Sequence, residues 1–132
     1  MFIWQRTWRE GFAPQFTRGQ LVALMAGLRQ DDCRIIQGAT SLPLPLACVL
    51  DWPLEGCDAL TYAIWQGPEP DAPSTVGEAE SRFAQLCAET DRRMGEPAAC
   101  RYFLHWYDET PREEMRRELL GELAWALSAM AA

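Results

Sequence analysis

The sequence contains no lysine and no asparagine, a single histidine, and no C-x-x-C pair. All twelve basic residues are therefore arginine. Lysine and asparagine are the residues of AT-rich codons, so their joint absence points to a GC-rich, bacterial genome rather than to any chemistry. Selection of arginine for bidentate contacts with carboxylate or phosphate is the chemical alternative. A lone histidine rules out H-E-x-x-H, and no glutamate stands three residues before it to make E-x-x-H. Without C-x-x-C pairs, zinc ribbons and thioredoxin-like redox sites have no support. Dinucleotide, Walker and G-x-S-x-G loops are missing as well. No metal and no cofactor are expected.

Long apolar runs are also lacking. The longest, Leu42–Leu50, has nine residues and includes Pro43 and Pro45, too short and too broken to span a bilayer. The first ten residues have no basic start followed by an apolar stretch, so they do not read as a signal peptide. Five cysteines (Cys33, Cys48, Cys57, Cys87 and Cys100) cannot all pair. Free thiols without an export signal lead us to expect a cytoplasmic protein.

What the chain does have is negative charge and apolar content. The net charge is -7, which disfavours direct binding to nucleic acid or to an anionic membrane surface. With 132 residues, 48% of them hydrophobic, residues 1–132 suit one domain that buries a core without staples.

Local signals are mostly helical. Thr17 and Gln20 make a capping box with Phe16 and Leu21 as its hydrophobic staple. Leu21, Leu24, Met25 and Leu28 then recur at helical spacing, predicting a helix over 18–30. Residues 31–38 suit one or two further turns ending at Gly38, and 39–46 suit a packed, proline-containing loop. Asp51 is positioned to cap a helix over 53–66, with Pro53 in its first turn and Gly67 as its stop. Residues 67–73 read as an exposed loop. Thr75 and Glu78 form a second capping box before an amphipathic helix over 76–94 that Gly95 ends. Pro97 opens a helix over 97–107. Thr110, Pro111 and Glu113 open the last helix, 111–128, with Met115, Leu119, Leu120, Leu123, Ala126, Leu127 and Met130 as its apolar stripe. Residues 1–16 carry Phe2, Trp4, Trp8, Phe12 and Phe16, interrupted by Gly11 and Pro14, and read as a short helix or an extended aromatic arm. The expected fold is mainly α, a compact bundle of four to five helices with an irregular Pro-containing middle segment. An α+β fold with a small hairpin within 33–65 is the alternative, since Ala47–Leu50 and Leu60–Trp65 have strand-like composition.

Two features bear on function. His105 has Asp108 at i+3 and Glu109 at i+4, a spacing that on a helix lets either carboxylate reach the imidazole for acid–base work. Cys100 lies roughly 140° away around the helix and cannot serve as its nucleophile. The second feature is a surplus of tryptophan: Trp4, Trp8, Trp52, Trp65, Trp106 and Trp125 are more than a small core readily holds. Trp4, Trp8 and Trp125, with Trp106 next, are therefore expected to form an interaction surface. The leading expectation is a non-enzymatic protein-interaction module, an adaptor or regulator, with a protein partner or a second copy in a homodimer. A small enzyme centred on His105, Asp108 and Glu109 is one alternative. An acidic inhibitor that mimics nucleic acid is another, although its carboxylates would be more concentrated than these.

Overall fold

The structure, a computed structural model, describes residues 1–40 and 49–131. Six α-helices follow one another: α1 (Ile3–Thr7), α2 (Arg18–Arg29), α3 (Ala59–Gln66), α4 (Val76–Met94), α5 (Arg101–Glu109) and α6 (Arg112–Ala131). Among the described residues there is no strand, only two isolated bridges, Ile35 with Cys57 and Pro53 with Thr75. The fold is mainly α, and the described residues give no support to a hairpin within 33–65.

Two helices begin where the capping chemistry requires. The Thr17 hydroxyl accepts from the Gln20 N–H at 3.2 Å while the Gln20 side chain accepts from the Thr17 N–H at 2.9 Å, the reciprocal box that opens α2. Thr75 accepts from the Glu78 N–H at 3.2 Å to open α4, and the Glu78 carboxylate reaches one residue further back, to the Ser74 N–H at 2.8 Å. Gly95, at φ +68°, ends α4 in the left-handed conformation that a glycine adopts without a Cβ penalty. α6 starts one residue later than its expected box, with the Pro111 carbonyl accepting from the Met115 N–H and the Glu113 carboxylate taken by Arg116.

The middle segment departs from expectation. α3 is capped by Asp58, not Asp51: the Asp58 carboxylate accepts from the Thr61 N–H at 3.0 Å and from the Thr61 hydroxyl at 2.8 Å. Ahead of it the chain is drawn out by backbone pairing. Leu54 N–H donates to Ser74 O and Val76 N–H to Trp52 O, while Ile36 N–H donates to Cys57 O and Cys57 N–H to Arg34 O. Pro53 fits that extended path because it has no N–H to place. The same pairing holds 33–36 out of helix, so the extra turns expected over 31–38 do not form. The loop expected over 39–46 lies mostly outside the described residues, as does part of the strand-like stretch 47–50.

Just past the end of α2, Asp31 sits at φ +50°, a place usually taken by glycine or asparagine. Two arginines of α6 hold it there. Arg112 reaches Asp31 at 2.8 Å and the Ile35 carbonyl at 2.8 Å, and Arg116 reaches the Leu28 carbonyl at 2.8 Å. These guanidinium groups satisfy carbonyls that a helix end leaves free. The turn after α4 works similarly. Ala98 adopts φ +60°, and the Asp91 carboxylate accepts from the N–H groups of Ala98 at 3.1 Å and Cys100 at 2.8 Å. That cap, supplied from another helix, delays α5 to Arg101 where Pro97 had suggested an earlier start.

The core is one cluster centred on Phe103. Its ring packs against Trp8 (5.8 Å), Phe12 (5.3 Å), Trp106 (5.6 Å) and Tyr107 (6.1 Å). The N-terminal segment is thus a central core element and not an arm. It runs through α1, a π-helical turn over Trp8–Phe12 and a 3-10 turn over Ala13–Gln15. Gly11 permits this path, since a Cβ there would overlap the methyl group of Thr90 on α4. The Gln15 amide locks the approach by donating to Gly11 O (2.9 Å), Leu86 O (3.0 Å) and Thr90 Oγ1 (2.9 Å).

Candidate functional site

His105 is exposed on α5, and the carboxylate expected beside it is engaged elsewhere. Asp108 accepts from the Gly38 N–H at 2.8 Å and from the Thr40 N–H at 3.2 Å, and it also binds the Thr40 hydroxyl. It ties the 38–40 loop to α5. Glu109 is exposed. The three residues line one surface cleft with Ile3 and Tyr102, but no acid–base pair forms among them.

The buried titratable groups also have structural duties. Asp58 has its affinity for a proton raised by burial, against the hydrogen bonds it accepts as the cap of α3. Burial pushes the Cys57 thiol up, and the Cys87 thiol is pushed up first by its hydrogen bond with Cys100 and then by burial. Thiols held protonated in this way are poor nucleophiles. No group of three or more His, Cys, Asp or Glu side chains that could hold a metal occurs among the described residues. Many carboxylates are committed to the chain's own arginines, as in Asp32 with Arg34 (2.7 Å), Asp31 with Arg112 (2.8 Å) and Glu122 with Arg9 (2.8 Å).

The tryptophans divide sharply. Trp8 is fully buried and Trp4 nearly so, which corrects the expectation that both are exposed. Trp4 lies flat on half-buried Trp106, with ring centroids 3.6 Å apart and planes 3° apart. Of the four tryptophans expected at a surface, Trp125 alone is well exposed, at 38%. Trp52, which the sequence did not single out, is exposed at 60%.

Trp125 marks a region where apolar surface continues along an element. α6 rests on α2 and on the N-terminal turns. Met115, Leu119, Leu123 and Ala126 point into the core. Glu122 is buried with them, and its carboxylate accepts two hydrogen bonds from the Arg9 guanidinium (2.8 and 3.0 Å) and one from the Gln5 amide (3.2 Å). Beyond Glu122 no residue of the helix carries a charge, on either face. At about 100° per residue, Gly121, Ala124 and Ser128 form the outward line. All three are exposed, with Trp125 on one flank and half-buried Leu120 and Leu127 on the other. On the Trp125 side a groove of about 200 Å³ runs between α6 and the 13–21 segment, floored by Ala13, Phe16 and Leu21 and edged by Met130. The Arg9 guanidinium covers the inner face of the Trp125 ring at 4.4 Å from its centroid.

A helix that is apolar all round normally lies inside a core. Here its last three turns are covered on one side only. Sequence reasoning placed Met115, Leu119, Leu123 and Ala126 inward correctly, but it also assigned to that stripe Leu120 and Leu127, which flank the outward face, and Met130, which is exposed. The signal for the outward face was present in the absence of any charged residue after Glu122. No helix among the described residues is long and apolar enough to cross a membrane. No family model matches the chain, and neither does any curated protein or solved structure.

Proposed function

We propose that this protein is a non-enzymatic interaction module whose outer α6 face docks an amphipathic helix of a protein partner. One observation carries the reading: the last three turns of α6 present an uncharged, partly aromatic surface to solvent on a chain of net charge -7. Contiguous exposed apolar surface is characteristic of recognition sites. A shallow trough of small side chains walled by Trp125, Leu120 and Leu127 suits a helix laid along it, the helix-in-groove mode of recognition. Tryptophan is the residue type most enriched at interface hot spots. The His105 alternative is less favoured, because Asp108, though it lines the same cleft, is committed to the 38–40 loop. An inhibitor that mimics nucleic acid is likewise disfavoured, with carboxylates dispersed into ion pairs.

A photo-crosslinking residue placed at Ala124, and separately at His105, tests the reading in cells that produce the protein. Adducts are expected from position 124, mapping by mass spectrometry to the apolar face of a helix in the captured protein. Adducts from 105 alone, or from neither position, would overturn it.

A further inference from the structure

We infer that the helix docked on α6 is α6 of a second copy, paired antiparallel about a two-fold axis; this rests on the docking reading above. Three observations converge on a like partner.

The first is Gly121. It lies in the interior of a 20-residue helix, and its φ is not among the positive ones. A Cβ built on it meets nothing within 4 Å. Neither backbone conformation nor space among the described residues calls for a glycine, and a glycine inside a helix is destabilising. A second helix crossing at close range supplies the missing requirement.

The second is charge. Two copies of net charge -7 repel, and a two-fold interface sets each surface against itself. The stretch from Leu123 to Ala131 is the part of α6 that can face its own copy with no charge opposed. In the antiparallel register that sets Gly121 against Ser128, Ala124 meets Trp125 of the other copy close to the two-fold axis. The same register carries Arg117, which continues the outward line, to the C-terminal end of the other helix, just past Ala131. Arg117 is exposed and makes no salt bridge or side-chain hydrogen bond among the described residues. The last turn of α6 has no basic residue of its own, and helix-terminal carbonyls carry partial negative charge. Arg117 thus brings a complementary charge to a pairing in which Leu123–Ala131 opposes no charged side chain of its own stretch.

The third is shape. A projecting Trp125 and Met130 stand beside the groove over Ala13, Phe16 and Leu21. Knob and recess on one patch are what an isologous contact uses, each copy offering both. The contact spans about 21 Å of helix from Arg117 to Ala131. A single helix pair of that length falls in the small class of interfaces, below about 1,200 Å² in total, so the association is weak and concentration-dependent.

Sedimentation equilibrium from micromolar to near-millimolar protein is the test, on wild type, Ser128→Glu, Gly121→Leu and the remote control His105→Ala. Circular dichroism and thermal unfolding of dilute samples establish that each variant folds. Wild type and the control are expected to pass from monomer to dimer. Ser128→Glu opposes charge at the contact, and Gly121→Leu blocks close approach, so each should weaken association roughly tenfold or more. Gly121→Leu should do so while the dilute monomer is at least as thermally stable as wild type, a combination that a general folding defect does not produce. A wild-type chain that stays monomeric throughout would overturn the inference. So would a dimer that tolerates both α6 substitutions. Either result leaves the docking reading to its own crosslinking test, where adducts at 124 with a different protein would uphold it alone.

Discussion

The first sixteen residues and the last helix make an instructive pair. Both are rich in large apolar side chains, and the N-terminal one is interrupted by glycine and proline while the C-terminal one has an unbroken helical rhythm. Periodicity favours the second as core and leaves the first as a short helix or an arm. The structure reverses part of that order: Trp8 and Phe12 are completely buried, whereas Trp125 and Met130 stand in solvent. Burial is set by how many elements surround a side chain. The N-terminal turns lie against α4, α5 and α6, whereas among the described residues the last turns of α6 bury Leu123 and Ala126 and leave Ala124, Trp125 and Ser128 exposed. Gly11, which looked like a break, is what lets the π turn press against α4.

The largest effect expected from this contrast is at the centre of the aromatic cluster. Phe103→Ala or Trp8→Ala should cost about 3–5 kcal/mol, enough to leave little folded protein at room temperature. Trp125→Ala should cost no more than about 1 kcal/mol in dilute solution, in keeping with a residue whose outer face is wet. Urea unfolding at low protein concentration measures both. Similar losses at positions 8 and 125 would break the comparison.

Two glycines sharpen it. Gly11→Ala forces a methyl group against Thr90 and should destabilise by about 1–3 kcal/mol. Gly121→Ala has open space and should stabilise the dilute monomer by up to about 1 kcal/mol, the difference in helix propensity. Opposite signs from the same chemical change, read as shifts in melting temperature, are the expected result.

Acid provides a graded test of the contacts that join the elements. The Asp32 carboxylate is held well below the usual range, first by the Arg34 side chain, then by the Arg34 N–H and the Tyr62 hydroxyl. Arg112 similarly lowers Asp31. A carboxyl whose folded value lies below its unfolded one contributes stability that is complete above the unfolded value, near pH 4, and is lost as pH falls through the folded value. Asp58 has the opposite sense, because burial raises it. The urea midpoint should therefore fall between about pH 4 and the most acidic conditions, and Asp32→Asn should reduce that fall. The smallest expected effect is at the exposed end of α5: His105→Ala should change stability by less than about 1 kcal/mol.

Of the candidate site, the sequence made Trp125 legible as a surface aromatic, and it did so by counting tryptophans against core volume. The same count misplaced Trp4 and Trp8, because it cannot say which indoles a core selects. Trp4 is covered because Trp106 stacks on it from α5, about a hundred residues away in the chain. Asp108 was read as a partner for His105 since both lie on one helix. A loop closing from residues 38–40 took its oxygens instead.

What the sequence determined by itself was local: the mainly α class, and the starts of α2 and α4. Capping hydroxyls, the Gly95 stop and 3.6-residue stripes act within a few residues of one another, so their outcome is readable without the rest of the chain. Tertiary structure decided everything that depends on distant partners. Asp58 prevailed over Asp51 as the cap of α3 because residues 52–57 are drawn out by backbone bonds to 34–36 and 74–76. Asp31 adopts a left-handed conformation where Arg112 and Arg116 hold it. The outward face of α6 became a surface because no other element among the described residues reaches it, a matter of which helices pack where and not of which residues the helix contains.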